Sequence, residues 1–248
     1  MISAHRRDTL DTLEWQADET APERIVVAMH GYGSNADDLI GLGESLGSVW
    51  RERGGPRCRW VAPNAPLQPA ELRSWNGRAW WELRLSELID RLQTAAGLQE
   101  LVAAVPPGMD EARSQVCRAI DAVHAETGLD WERTYLAGFS QGAMLASDTT
   151  IRGGSTPRGL VTLSGALLAK SAWEDELSSD GRCPVFGSHG RHDPTLPFAA
   201  GQMLSQFFGE NGFATQFEAF DGGHTVPQPV LIKLLAWFEG VESEEDGP

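Results

Sequence analysis

The chain has 248 residues, 41% of them hydrophobic and 22% charged, the composition of an ordinary globular protein. A formal charge of −15 repels phosphate backbones and anionic headgroups, which argues against nucleic-acid binding and leans toward neutral or cationic ligands. Three cysteines, Cys58, Cys117 and Cys183, are odd in number and in no metal-ligand spacing, so they read as small apolar core residues in a reducing compartment.

The first twenty residues are polar, with Arg6, Arg7, Asp8, Asp11 and Glu14, and show no apolar run ahead of a small-residue cleavage site. No later stretch has the apolar length to cross a bilayer, so the expectation is a cytoplasmic protein with no stable membrane insertion. Residues 25–29 are a compact β-branched run ending at His30-Gly31, and 59–62 are a second run stopped by Pro63-Asn64-Ala65-Pro66. Over 67–108 the pattern breaks: Trp75, Trp80 and Trp81 precede a Leu-rich amphipathic segment and Pro106-Pro107-Gly108. This stretch reads as a lid-like excursion above a sheet rather than a second domain.

Met109, Ala112, Val116, Ile120 and Val123 then form the apolar stripe of a helix. Asp110 and Glu111 sit at its positive end, and Gly128 is placed to cap it. Short apolar runs at 134–137, 160–163, 185–187 and 216–220 predict further strands, and 199–208 and 229–238 further helices. The acidic tail, 239–248, is expected to fray. Strands alternating with helices predict a single α/β domain over 1–248, with a mostly parallel central sheet and helices on both faces.

The sharpest chemical signal is Gly138-Phe139-Ser140-Gln141-Gly142, which follows one predicted strand and precedes the helix-compatible run 143–149. That placement makes it a nucleophile elbow: the serine projects from a tight strand-to-helix turn, and side chains at the two glycines would collide with backbone. A hydroxyl needs a base, and in such folds the acid and then the histidine follow the serine along the chain. His224 lies in the glycine-rich loop closing the last strand, Asp221-Gly222-Gly223-His224. Asp193, in the turn after the 185–187 strand, is the candidate acid. Asp175 and Asp180 precede that strand, at the wrong edge of the sheet, and Asp221 is too close in sequence to His224 to orient it.

His189 and His192 lie near Asp193, but without a second ligand cluster no metal site is expected, and His189 reads as a hydrogen-bonder shaping the acid loop. Backbone N–H groups of Gln141 and of Tyr32, in His30-Gly31-Tyr32-Gly33-Ser34, are the candidate oxyanion donors. Trp80 and Trp81 are candidates for a substrate-pocket wall.

In combination, the run from His30 to Leu39, the Pro63-Asn64-Ala65-Pro66 turn, the elbow with Ala143, the run from Pro184 to Asp193, and Gly222-Gly223-His224 resemble the phospholipase/carboxylesterase family of α/β hydrolases. That family includes bacterial carboxylesterases and acyl-protein thioesterases. The resemblance spans about residues 25 to 238. It implies an α/β-hydrolase fold, a cofactor-free esterase or thioesterase, a triad of Ser140, Asp193 and His224, and oxyanion donors at Tyr32 and Gln141. Two departures stand out: Thr195 where members often carry an apolar residue, and a longer 67–108 segment, which bears on acyl-chain selectivity.

The reading these features favour is a serine carboxylesterase acting on small, uncharged, short- to medium-chain esters through an acyl-enzyme. An acyl thioesterase or lysophospholipase could use the same triad. A non-catalytic ligand receptor on the same scaffold is the remote alternative. The expected partner is a small-molecule ester, and a homodimer is compatible with these features.

Overall fold

A computed structural model describes residues 1–83, 91, 94–177 and 181–243. Eight strands are present: β1 (Ile2–Arg7), β2 (Leu10–Trp15), β3 (Arg24–Met29), β4 (Cys58–Pro63), β5 (Thr134–Phe139), β6 (Gly159–Leu163), β7 (Val185–Gly190) and β8 (Thr215–Phe220). They form one sheet in the order β1-β2-β4-β3-β5-β6-β7-β8. β2 pairs antiparallel with β1 and β4, and every other pairing is parallel. β3 is buried along its whole length and lies inside the sheet, as an apolar strand without alternation must.

Seven helices lie among the described residues: α1 (Ala36–Glu52), α2 (Ala95–Ala103), α3 (Met109–Thr127), α4 (Gln141–Arg152), α5 (Lys170–Glu176), α6 (Phe198–Glu210) and α7 (Gln228–Ser243). None is long and apolar enough to cross a membrane. Side chains alternate across each strand, so the sheet divides the apolar residues into two layers. Ile25, Val27, Leu136, Leu160 and Val185 pack with Val116 of α3, Leu145 of α4 and Leu204 of α6. Val26, Trp60, Tyr135, Val161 and Phe186 pack with Trp50 of α1 and Phe238 of α7.

Buried charge fastens the layers. Asp148 of α4 is fully buried and accepts from Arg113 of α3 at 2.7 Å, Arg152 at 3.1 Å and the Trp173 indole of α5 at 2.7 Å. Exposed Asp110 faces the same two guanidiniums at 2.8 and 2.9 Å. At the other end of the sheet, Glu242 accepts from Arg24 at 2.9 Å, Arg158 at 3.0 Å and the Tyr135 hydroxyl at 2.5 Å. These bonds correct the expected fraying after residue 238: α7 continues to Ser243 because its last turn is tied to β3 and β5. Residues 244–248 of the tail lie outside the described residues.

The sequence pattern does not predict β1, β2, α1 or α5. The β1–β2 hairpin hides its inward face, because the buried residues of β2 include Thr12 and Glu14. Glu14 is held there by Arg7, whose Nε and Nη2 donate to its two oxygens at 2.6 and 2.9 Å, and Arg7 also pairs with Glu126 of α3. α1, capped by the Asn35 side chain on the Asp37 N–H, was obscured by its three glycines. A β-carbon at Gly47 would sit 2.4 Å from the Trp15 ring, so the low helix propensity there is the condition for close packing on the sheet.

The 67–108 segment turns through a 3₁₀ helix at Ala70–Trp75 and an isolated bridge from Leu67 to Ala79, with α2 farther along. Residues 84–90 and 92–93 lie outside the described residues. Replacing Asp148 by Ala leaves the Trp173 N–H and part of two guanidiniums unpaired beneath the elbow helix. The expected loss is about 3 kcal/mol, the low end for breaking a buried pair because Asp110 still faces both arginines. Urea unfolding with an unchanged m-value is the measurement, and a midpoint within error of the parent would refute it.

Candidate active site

Four parallel strands deliver residues to one rim of the sheet, at their carboxyl ends: His30–Ser34 after β3, Ser140 after β5, Asp193 after β7 and His224 after β8. Ser140 has φ 55° and ψ −117°, a backbone state an L-residue occupies at a cost of roughly 1–3 kcal/mol. The surroundings leave the turn no slack. Its N–H donates to Leu163 O at 2.9 Å, and its C=O accepts from Ala143 N–H at 3.0 Å. A β-carbon on Gly142 would lie 2.0 Å from Met29 O, and one on Gly138 2.1 Å from Gly142 O. Only this bare backbone lets α4 begin hard against β3, with its positive end at the rim.

Asp193 and His224 meet. His224 Nδ1 lies 2.6 Å from Asp193 Oδ2, and the imidazole packs on Phe139, the residue before Ser140, with ring centres 4.8 Å apart. The Asp193 side chain is fully buried, and its other oxygen accepts the N–H groups of Thr195 at 2.8 Å and Leu196 at 2.9 Å. Thr195 therefore contributes backbone, which is why the residue type there is unconstrained by this contact. His189, also fully buried, places Nε2 2.9 Å from Leu196 O and 3.3 Å from Asp193 Oδ2. Burial opposes ionisation of Asp193, but hydrogen bonds from His189, His224 and the Leu196 N–H outweigh it and hold the carboxyl well below the usual carboxylate range.

The loops themselves are stitched: His192 N–H donates to Gly222 O at 3.0 Å. Asp221 pairs instead with His192, at 2.8 Å, and both side chains are exposed. Asp175 lies in α5, and Asp180 is outside the described residues. Among the described residues no group of three or more His, Cys, Asp or Glu is placed to hold a metal ion.

The candidate oxyanion donors belong to loops that hold one another. Among the described residues, neither the Tyr32 N–H nor the Gln141 N–H donates to a protein carbonyl, as expected for a loop turn and for the first turn of a helix. The fully buried His30 ring accepts the Ala65 N–H on Nε2 at 3.0 Å and, with Nδ1 2.8 Å from Gly31 O, donates to that carbonyl. It thereby fixes the Tyr32 loop to the turn after β4. The His-Gly-Tyr-Gly run points only to its backbone in the sequence, because the partner of the His30 side chain, Ala65, lies after the next strand. Burial pushes the imidazole down to about 4.

Beside the elbow lies a cavity of about 690 Å³ whose walls include Trp81, Leu83, Leu101, Val105, Met144 and Leu196. Two of its lining residues are close in sequence to site residues: Met144, one turn after Ser140, and Leu196, three residues after Asp193. Trp80, the other candidate for a pocket wall, is buried and does not line this cavity. Its indole N–H donates to His30 O at 2.8 Å and its ring lies 5.3 Å from the imidazole, so it faces the oxyanion loop. Trp75 is 58% exposed and donates to Gly33 O at 2.9 Å.

The strand order and the turn after β5 are those of an α/β hydrolase. Esterase PE8 superimposes with a TM-score of 0.76 at 28% identity, over 97% of this chain and 99% of that one. The sequence profile described as Phospholipase/Carboxylesterase matches residues 11–239, and the chain belongs to that family. It is a carboxylic ester hydrolase. Relatives include "Probable carboxylesterase SOBER1-like" of Arabidopsis thaliana, 24% identical over 95% of this chain and 85% of the relative. "Acyl-protein thioesterase 1" of Eremothecium gossypii is 26% identical over 92% of this chain and 97% of its own length.

The lowered His30 value has a stability consequence. Between about pH 4 and 6.5 the unfolded chain binds a proton at this position that the folded protein refuses, so stability rises with pH across that window. On acidification from 6.5 to 4, His30 removes about 3 kcal/mol, whereas the Asp193 share is lost as pH falls through the ordinary carboxylate range and below it. Comparing wild type with His30→Gln by denaturant unfolding at several pH values isolates this share. Parallel stability curves for the two proteins across the window would remove it.

Proposed function

We propose that the chain is a serine carboxylesterase in which Ser140 is the nucleophile, His224 the general base and acid, and Asp193 the residue that orients the imidazole. The observation that carries the reading is the buried Asp193–His224 contact at 2.6 Å, set against the strained turn that presents Ser140. With Nδ1–H donated to the carboxylate, the Nε2 atom is left as the base.

Ser140 Oγ attacks the ester carbonyl carbon while Nε2 takes the hydroxyl proton. Negative charge on the carbonyl oxygen is held by the N–H groups of Tyr32 and Gln141, an interaction whose loss typically lowers kcat by about 10²–10³. Collapse of the tetrahedral species breaks the ester C–O bond. The proton on Nε2 goes to the departing alkoxide, which leaves as alcohol, with the acyl group now on Ser140. Water then attacks the acyl carbon, its proton passing to Nε2, and the second tetrahedral species expels Ser140 Oγ, which recovers that proton.

The apolar cavity fits an uncharged acyl group. At about 690 Å³ it lies in the middle of the range for small-molecule sites, roughly 300–1,000 Å³, so it favours a medium chain over acetyl. The net charge of −15 argues for neutral esters over anionic ones. The same cavity keeps open a thioesterase reading, because oxygen esters and thioesters pass through one acyl-enzyme. A cytoplasmic location agrees with the three free cysteines.

Ser140→Ala should lower kcat by about 10⁶ while leaving the circular dichroism spectrum unchanged. Near-normal turnover of that variant would sink the assignment. Paired oxygen esters and thioesters of matched acyl length separate the two substrate classes. Faster oxygen-ester cleavage at every length is expected here, and a consistent thioester preference would overturn the carboxylesterase assignment in favour of the thioesterase.

A further inference from the structure

The chemistry assigned to Gln141 uses only its backbone N–H, yet its side chain is 1% exposed and both ends of its amide are engaged. Oε1 accepts the Trp80 N–H at 3.0 Å, and Nε2 donates to Trp81 O at 3.0 Å. The carboxamide therefore joins the residue at the start of α4 to two consecutive residues of the segment above the sheet. Trp81 is a wall of the apolar cavity, and Met144, on the same helix as Gln141, is another.

The second half of the link runs through Trp80. Its indole N–H donates to His30 O at 2.8 Å, and His30 grips Gly31 O, the carbonyl whose peptide includes the Tyr32 N–H. Both candidate oxyanion donors are thus tied to the Trp80–Trp81 pair, one by the Gln141 amide and the other by the Trp80 ring. These bonds are closed in the structure, and an acyl chain long enough to fill the cavity would pack on Trp81 and hold them so. An acetyl group leaves the wall unloaded. Because donor placement matters most when charge develops on the carbonyl oxygen, the contribution of such a contact falls on the transition state.

We propose that the Gln141 side chain is a positioning residue that couples occupancy of the acyl cavity to alignment of the oxyanion donors, so that a longer acyl chain raises kcat rather than only lowering KM. The proposal rests on the hydrolytic reading above.

The test compares acetyl and octanoyl esters of one leaving group in wild type, Gln141→Met and Gln141→Glu, with active sites counted by fluorophosphonate titration. Counting sites, and using the ratio of kcat on the two esters, cancels any fraction that fails to fold. In wild type the octanoyl-to-acetyl ratio of kcat should exceed one. In Gln141→Met, which loses both amide contacts, the ratio should fall about tenfold or more while KM for octanoyl moves less than about twofold. Gln141→Glu keeps the acceptor for the Trp80 N–H, loses the donor to Trp81 O when ionised, and should fall part of the way. It carries the test by itself if the Met variant yields no labelled enzyme. A ratio within about twofold of wild type, or a loss expressed wholly in KM, overturns the coupling. Turnover surviving in Ser140→Ala overturns the hydrolytic reading instead, so the two failures are told apart.

Discussion

The closeness of α4 to β3 is the constraint from which the rest of the site follows. A β-carbon on Gly142 would lie 2.0 Å from Met29 O, so the first turn of the helix can lie this close to β3 only with a glycine at its second position. With the helix start fixed, the backbone after β5 has to reverse within one residue, and Ser140 takes the left-handed φ of 55° that this requires. Such a turn persists only where its neighbours overdetermine it. The Leu163 carbonyl does so from the adjacent strand, and buried Asp148 does so from within α4, by holding the helix to α3 and α5.

Three histidines of the site show how environment divides one side chain among different tasks. His30 has both ring nitrogens engaged with backbone, so protonation would sacrifice the Ala65 N–H contact; burial keeps it neutral. His224 shares its carboxylate partner with His189, but it alone of these three has part of its ring open to solvent. His189, fully buried, closes the acid loop by bonding Leu196 O, the carbonyl of a residue whose N–H already bonds Asp193. A strongly acidic protein thereby keeps one more carboxylate ionised in a buried site, through local donors rather than through its overall field.

Much of this was legible from residue order, because each chemical group sits where a short apolar run ends. The strands beneath Ser140, Asp193 and His224 announce themselves by β-branched and aromatic residues, and the glycines beside Ser140 have a steric reason that can be stated before any coordinates. What stayed hidden has physical causes. The β2 strand buries Glu14 against Arg7, so its inner face reads as polar. α1 trades helix propensity for close packing on Trp15 and Trp60. Trp80 and Trp81 are adjacent in sequence and alike in type, and nothing in their order says which will face the cavity and which the His30 loop. The side-chain role of Gln141 depends on a contact sixty residues away, and no local pattern encodes it.

The way Asp193 is held has a consequence for its amide analogue. One carboxylate oxygen receives two backbone N–H groups and the other receives the imidazole, so the group is used in full as an acceptor. An asparagine at 193 has a single oxygen, which the two backbone donors of the turn would claim. Its NH₂ would then face His224 Nδ1, and that nitrogen could accept only by surrendering its hydrogen to Nε2. The imidazole would keep its place but carry an N–H at Nε2, the atom proposed as the base, in place of a lone pair. The fold would survive with its geometry intact and its proton on the wrong side of the ring.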